Sequence, residues 1–164
     1  MTSQWDLNLK SEIQKFLYSL QDDKSKNHFY PVNKGRTNNG QNLRLGFSCY
    51  AIKCFYMLDL WDDLSDNEKI KWVNYINSFQ ANKKNLPKNS YIDPVISSFY
   101  TSFLRTISIK NNLKLVMNKF FKLNKRTYKD LYIDSVRAET KQAISTLSEV
   151  GFVNKKKYQD FPSS

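Results

Sequence analysis

The sequence predicts an all-α protein of about six helices, arranged as antiparallel helical hairpins. Only four glycines and four prolines occur among 164 residues, too few turn-forming residues for a protein built of many short strands. Apolar side chains recur at spacings of three and four along most of the chain, which is the period of an amphipathic helix. The length suits one domain with its own core, and we expect residues 1–164 to form it.

The first half of the chain predicts two helices and a long connection. The first helix runs from about Gln4 to Leu20. Residues 21–42 are polar and contain Pro31 and two glycines, so we expect the longest loop of the protein there. The segment from about Leu43 to Trp61 is apolar on most of its faces, which is typical of a helix at the centre of a core.

Two capping signals mark the next helices. Ser65 and Glu68 have the spacing of a capping box, in which each side chain accepts a hydrogen bond from the other residue's backbone amide. Asp93 followed by Pro94 predicts an N-cap residue and a proline in the first helical turn. We therefore expect one helix to begin after Ser65 and another at Pro94.

The last third predicts two more helices and a loose end. Apolar periodicity places one helix from Leu113 to Leu123 and another from Tyr128 to Val150. Gly151 follows the second helix and is expected to form its C-terminal cap. Residues 154–164 are expected to be a frayed tail, and no segment of the chain predicts a convincing strand.

The charge is strongly basic and unevenly distributed. Lysine and arginine total 26 against 15 acidic residues, which gives a formal net charge of +11. Most of the basic residues are lysines, whereas sites that read phosphates specifically favour the planar fork of arginine. Compositional bias towards lysine and asparagine, as in an AT-rich genome, is therefore favoured as the main source of the charge, and an anionic partner is the alternative. Two stretches, 24–53 and 105–129, contain no acidic residue.

The segment from Lys110 to Lys129 is the clearest candidate for a functional surface, and we predict that it forms an amphipathic helix. At about 100° per residue, its apolar side chains share one arc of the helix. The opposite arc carries the candidate anion-binding residues Lys114, Lys119, Lys122, Lys125, Arg126 and Lys129. A basic amphipathic helix binds a membrane surface or contacts a phosphate backbone. The alternative is a packed helix whose lysines are only solvated.

A group of acidic residues offers a candidate metal site. Asp59, Asp62 and Asp63 have i, i+3, i+4 spacing, so a helix would bring their carboxylates together. Oxygen ligands of this kind hold Mg²⁺. The alternative is a set of solvated carboxylates around a tight turn between two helices.

Other reactive side chains give weaker signals. His28 is the only histidine and has no evident Asp or Cys partner in its own segment, although a triad can be completed through space. Cys49 and Cys54 lie in an apolar segment and are expected to be reduced core thiols. The N-terminal residues lack the pattern of a signal peptide and no apolar run is long enough to span a membrane, so we expect a cytoplasmic protein.

The segment Trp72–Gln80 resembles the repeat of α/α-toroid proteins, the class that contains terpenoid cyclases and protein prenyltransferases. In that repeat, a helix that ends in an apolar residue and glutamine leads through a glycine turn to an apolar or aromatic anchor. Ile76, Phe79 and Gln80 match the helical half, and Leu86 stands at the anchor position. A lysine or an asparagine occupies the position of the glycine.

A second segment extends this resemblance. Residues 45–52 look like the partner helix of a toroid hairpin and are similar to residues 138–144, with small and apolar residues at matching positions. The resemblance implies an open arc of a toroid, because six helices are too few to close the ring. Such an arc leaves apolar helix faces uncovered, which predicts self-association or a protein partner.

Two functions remain open on the sequence. The resemblance implies a truncated relative of enzymes that handle prenyl or glycan substrates. No intact catalytic motif is recognisable here, so the resemblance assigns no catalytic residue, and the cofactor stays unknown. Whether the chain is an enzyme stays open. The alternative is a non-enzymatic basic helical module that binds an acidic partner, either nucleic acid or an anionic membrane surface.

Overall fold

Six α-helices dominate the computed structural model, which describes residues 4–106, 108–123 and 125–160. The fold is all-α, as the sequence predicts. The helices are α1 (Gln4–Ser19), α2 (Leu45–Met57), α3 (Asp66–Asn77), α4 (Pro94–Thr106), α5 (Ser108–Phe121) and α6 (Tyr128–Glu149). A short 3-10 turn at Gly40–Asn42 precedes α2. No helix in the described part of the chain combines the length and apolar character that crossing a membrane requires.

One small sheet corrects the prediction that the chain has no strand. Strands β1 (Gln80–Ala81) and β2 (Ser90–Tyr91) pair antiparallel, with Gln80 opposite Tyr91. Two residues are too short to show the alternation that marks a strand in a sequence. The connecting loop supports the pair, because Asn85 and Asn89 adopt the left-handed backbone that asparagine tolerates.

The main core forms around α2, which the sequence places at the centre. The buried ring of Trp72 on α3 contacts three other aromatic rings, those of Phe29, Phe55 and Trp61, with centroids 5.0 to 6.0 Å apart. Phe29 belongs to the predicted polar loop over residues 21–42, yet only 2% of it is exposed. The loop is therefore anchored to the core near its beginning.

Helices α2 and α6 pack against each other along the segments that resemble one another in sequence. Ser48 and Ala51 on α2 are buried, as are Thr140 and Ala143 on α6. Small residues at such positions let two helix backbones approach closely. At one end of the pair, Lys53 Nζ lies 3.0 Å from a carboxylate oxygen of α6 and 3.1 Å from a serine hydroxyl.

A smaller core joins the sheet to α4 and α6. Its buried members are Ile92, Tyr132 and Val136, and Leu86 and Tyr100 pack against them. This second core fixes the start of α6 and the loop between β1 and β2 next to α4. Leu86 and Tyr132 of this core also line the cavity of the candidate site described below.

Asp93 caps two helices at once. Its Oδ1 accepts a hydrogen bond from the Val95 amide (3.0 Å), which confirms the predicted N-cap of α4. Its Oδ2 accepts from the amides of Arg44 (2.8 Å) and Leu45 (2.9 Å) at the start of α2. Helix α2 has no side-chain cap from its own N-cap residue, so the carboxylate of Asp93 supplies it from a distant part of the chain.

The other predicted caps are also present. Ser65 and Glu68 form the reciprocal capping box at the start of α3. Gly151 has φ +78° after α6, and its amide and that of Phe152 donate to α6 carbonyls at 3.1 and 2.8 Å. These two bonds are those of a Schellman motif. Local sequence therefore determines these helix ends.

Residues 154–160 belong to the tail that we expect to be frayed, and they contact the rest of the protein; residues 161–164 of that prediction lie outside the described residues. The Lys156 amide donates to Gln80 Oε1 (2.8 Å), and the side-chain amide of Gln80 donates back to the Lys156 carbonyl. Arg137 on α6 binds Asp160, with Nε and Oδ2 2.6 Å apart. The tail thus pairs with side chains that are remote in sequence, which is why local composition does not reveal its order.

Candidate functional site: the α5 surface and the adjoining cavity

The predicted single helix over residues 110–129 is wrong, because α5 ends at Phe121. Lys122 has φ +50°, a left-handed backbone that does not continue an α-helix. A capping box between Thr127 and Asp130, which we did not predict, starts α6 immediately afterwards. The left-handed Lys122 and this capping box therefore divide the segment.

One polar side of α5 faces the chain segment that leads into α6. Asn111 Oδ1 accepts a hydrogen bond from the Tyr128 amide at 3.1 Å. Asn118 binds the backbone of Lys125 in both directions, accepting from its amide (2.6 Å) and donating to its carbonyl (2.7 Å). These bonds tie α5 to the chain segment that leads into α6.

The apolar side of α5 faces solvent. Four side chains at i, i+4, i+7 and i+11 lie within about 60° of the helix circumference. Their exposed fractions are 85% for Ile109, 59% for Leu113, 49% for Val116 and 72% for Phe120, and we call these four residues the apolar stripe. The interpretation of a packed helix with a solvated lysine face is therefore wrong. A contiguous exposed apolar surface of this kind is typical of an interaction site.

The six candidate anion-binding residues occupy four different places. Lys119 is exposed at one edge of the apolar stripe, and Lys110 lies at the other edge by helical geometry. Lys122 is exposed just beyond the end of α5, and Lys129 lies in the first turn of α6. The remaining three, Lys114, Lys125 and Arg126, lie at the junction of α5 with the segment before α6.

The residues at this junction are already engaged. Lys114 Nζ donates to the Arg126 carbonyl (3.2 Å) and lies 6.0 Å from the centre of the Tyr128 ring. The Arg126 guanidinium forms an ion pair with Asp134. Among the described residues, none of the five candidate lysines has an ion-pair partner. The free positive charge of the site therefore belongs to lysines.

A cavity of about 450 Å³ lies on the inner side of α5. Its walls come from the β1–β2 loop, α4, α5 and the start of α6. Besides four uncharged polar residues, the lining contains two lysines and four apolar or aromatic side chains; these six residues are Leu86, Leu115, Tyr132, Ile133, Lys84 and Lys129. The volume is within the usual range for small-molecule sites.

A hydrogen-bonded group holds one wall of this cavity in place. The buried Ser97 Oγ accepts from Tyr132 OH at 2.9 Å and also from Lys83 Nζ. The ring of Tyr100 stacks on that of Tyr132, with centroids 5.2 Å apart. Tyr132 therefore has little freedom to fill the cavity.

The candidate metal residues do not have the helical spacing that we predicted. Helix α2 ends at Met57, and the amides of Leu60 and Trp61 both donate to the Phe55 carbonyl, which closes a turn there. Asp59 has φ +54° within this turn, so the argument that placed it on one helix face with Asp62 and Asp63 is wrong. Within the described ranges, no three Asp, Glu, His or Cys side chains are grouped so that they could hold a metal ion.

His28 has an acidic partner that we missed. Its buried Nδ1 lies 3.3 Å from Asp22 Oδ2, six residues earlier in the chain. Burial acts to raise the pKa of Asp22, but hydrogen bonds from the Lys24 amide and from His28 outweigh it and lower the pKa. His28 Nε2 is buried without a hydrogen-bond partner among the described residues, so no triad is completed around it there.

Burial raises the pKa of both cysteines. It raises the pKa of Cys49 to about 12, so the thiol is unreactive, and it also raises the pKa of the partly buried Cys54.

Burial likewise raises the pKa of Glu139 on α6 to about 7, and the carboxylate of Asp93 adds to this. The Asp93 amide donates to Glu139 Oε2 at 3.2 Å. The sequence shows no sign that Glu139 is buried, because its partner lies 46 positions away.

No protein-family model matches this chain, and comparison with curated proteins and with solved structures likewise gives no match. The resemblance of Trp72–Gln80 to the toroid repeat stays a prediction. In the structure, α3 ends at Asn77 and Gln80 lies in β1. Of the four residues that carry the resemblance, only the anchor Leu86 lines the cavity.

Proposed function

We propose that this protein binds anionic membrane surfaces through α5. The observation that carries the proposal is the orientation of that helix: its apolar stripe is exposed, while its asparagines bind the segment that leads into α6. Lys110 and Lys119 border the stripe, and no acidic residue occurs between Arg105 and Lys129. This is the combination of apolar face and lysine edges that interfacial helices use.

The physical basis is a helix that lies in the plane of the membrane. An interfacial helix buries its apolar face about 5–10 Å deep, between the headgroups and the acyl chains. Lysines near the surface then each contribute about 1 kcal/mol through attraction to anionic lipids. Asn111 and Asn118 bind the segment before α6 from the side of α5 opposite the stripe, so these bonds leave the stripe exposed.

The charge pattern favours a membrane over the other expected partners. A phosphate backbone accounts for the lysines of α5 but leaves the apolar stripe uncovered. A second copy of the chain would cover the stripe, but it would bring Lys110 and Lys119 against equivalent lysines without an acidic residue nearby. An anionic lipid surface buries the apolar stripe and also attracts the lysines of α5.

Vesicle binding tests the proposal. We expect the protein to sediment with vesicles of phosphatidylcholine mixed with phosphatidylserine, and salt to weaken this binding. Phe120→Ser removes the burial of one large apolar side chain, worth roughly 1.5–3 kcal/mol, so partitioning should fall about tenfold or more. Met57→Ser is the matched control, because Met57 is 71% exposed and Phe120 is 72% exposed, but Met57 lies at the end of α2.

A charge variant completes this experiment. Lys119→Gln should weaken binding to the mixed vesicles, whereas Lys155→Gln, an exposed lysine of the tail, should have a smaller effect. The proposal is overturned if Phe120→Ser binds vesicles as the wild type does. It is also overturned if the protein binds duplex DNA more tightly than vesicles and the lysine variant alone weakens that binding.

A further inference from the structure

The cavity beside α5 has the chemistry of a ligand site of its own. Its lining combines the side chains of Leu86, Leu115 and Ile133 with the two exposed lysines Lys84 and Lys129. Within the described part of the chain, neither lysine has an ion-pair partner. A ligand that fits must therefore bring both an apolar portion and negative charge.

The acidic residue next to this site does not neutralise the lysines by contact. Asp130 follows Lys129 in the chain, but its Oδ2 accepts hydrogen bonds from the Thr127 amide (2.8 Å) and hydroxyl (2.7 Å). Those bonds hold it in the capping box at the start of α6. The charge at the cavity is therefore available to a bound anion.

We infer that this cavity binds a single-chain anionic amphiphile, with its carboxylate or phosphate head between Lys84 and Lys129 and its aliphatic chain against Leu86, Leu115 and Ile133. The volume of about 450 Å³ is that of a small-molecule site. The wall formed by Tyr132 is fixed by Ser97, so the cavity is formed before the ligand arrives. Preformed sites bind with a smaller entropic cost.

This inference goes beyond the proposed function and does not depend on it. Leu115 and Asn111 line the cavity on the inner side of α5, whereas the apolar stripe lies on the outer side. A ligand in the cavity and a membrane on the stripe therefore contact different faces of the same helix. A variant of one site should leave binding at the other unchanged.

Calorimetric titration of the full chain with decanoate below its micelle concentration tests the inference. We expect saturable binding of decanoate, weaker binding of decanol and no comparable binding of inorganic phosphate. The double variant Lys84→Gln/Lys129→Gln should weaken decanoate binding at least tenfold and change decanol binding little. Lys88→Gln, which alters an exposed lysine of the same loop outside the cavity lining, is the matched control.

Variants that fill the cavity provide a second test of the inference. Ile133→Trp should abolish binding of both decanoate and decanol, and Leu86→Trp serves the same purpose if the first variant does not fold. Vesicle binding by these variants should match that of the wild type. A wrong ligand site would therefore show in the decanoate titration, whereas a wrong proposed function would show in vesicle binding. Unchanged decanoate affinity in the folded tryptophan variant or in the double lysine variant overturns the inference, as does equally tight binding of phosphate.

Discussion

Single side chains that link distant segments determine much of this fold. Asp93 is the clearest case, because one carboxylate satisfies backbone amides at the starts of α2 and α4. The sequence predicts the local half of this role, since aspartate before proline is an N-cap signal. It cannot predict the bonds to Arg44 and Leu45, because nothing near Asp93 shows which other helix start lies within reach.

Glu139 is expected to make the stability of the protein depend on pH. Its folded-state pKa is raised from 4.5 to about 7 by burial. The folded state therefore binds a proton more readily than the unfolded chain, and the protein should lose stability as the pH rises from about 5 to 8. At 1.36 kcal/mol per pKa unit, the decrease in the free energy of unfolding is about 2–3 kcal/mol.

Urea unfolding at pH 5 and at pH 8 checks this prediction. The wild type should show the lower midpoint at pH 8, and Glu139→Gln should reduce the difference between the two midpoints. Gln keeps an oxygen that can accept from the Asp93 amide, so the variant removes the titration and retains the hydrogen bond. An equal pH dependence in the two proteins would show that other groups cause it.

At the scale of elements, the sequence predicts which helices exist better than where they end. Capping signals at Ser65, Asp93 and Gly151 identify three boundaries correctly, because the groups that form them lie within a few residues of each other. The end of α2 is missed, and the amphipathic helix predicted over residues 110–129 runs across the boundary between α5 and α6. Both boundaries depend on left-handed residues, at Asp59 and Lys122, that composition does not mark.

The amphipathic period of α5 is predicted, but its orientation is not. Periodicity shows that apolar and polar side chains lie on opposite sides of a helix. It does not show which side the rest of the protein contacts, and the usual assumption of an inward apolar side is wrong here. The bonds of Asn111 and Asn118 decide the orientation, and neither residue belongs to the apolar pattern.

Removing one of these asparagines should loosen α5 without unfolding the protein. Asn118→Ala deletes both bonds to the backbone of Lys125, each worth about 0.5–1.5 kcal/mol. Hydrogen exchange measured by mass spectrometry should then show faster exchange in α5 and unchanged exchange in the buried part of α6. Lys119→Ala, at the exposed neighbouring position, is the control and should leave the protection of α5 unchanged.

At the scale of the whole molecule, net charge alone says little about function. The value of +11 is compatible with compositional bias, with nucleic acid and with an anionic membrane. The arrangement of the charge is more informative, because one stretch without acidic residues coincides with α5, whose apolar stripe is exposed. That coincidence requires the structure, since sequence position does not reveal exposure.

The C-terminal tail is expected to stabilise the whole fold through contacts remote in sequence. Its backbone bonds the side chains of Asn77, Gln80 and Asn89, and Asp160 pairs with Arg137 on α6. Truncation after Val153 leaves these partners without the tail and should lower the free energy of unfolding by about 2–4 kcal/mol, the sum of several net hydrogen bonds. Urea unfolding followed by circular dichroism measures the change.

A variant that keeps the tail backbone separates these contacts from the loss of charge. Replacing Lys155, Lys156 and Lys157 by glutamine removes three positive charges but leaves the backbone groups that bond Asn77, Gln80 and Asn89. Exposed charges contribute little to stability, so this variant should unfold close to the wild-type midpoint. If it is destabilised as much as the truncated protein, charge accounts for the effect and the backbone contacts of the tail do not stabilise the fold.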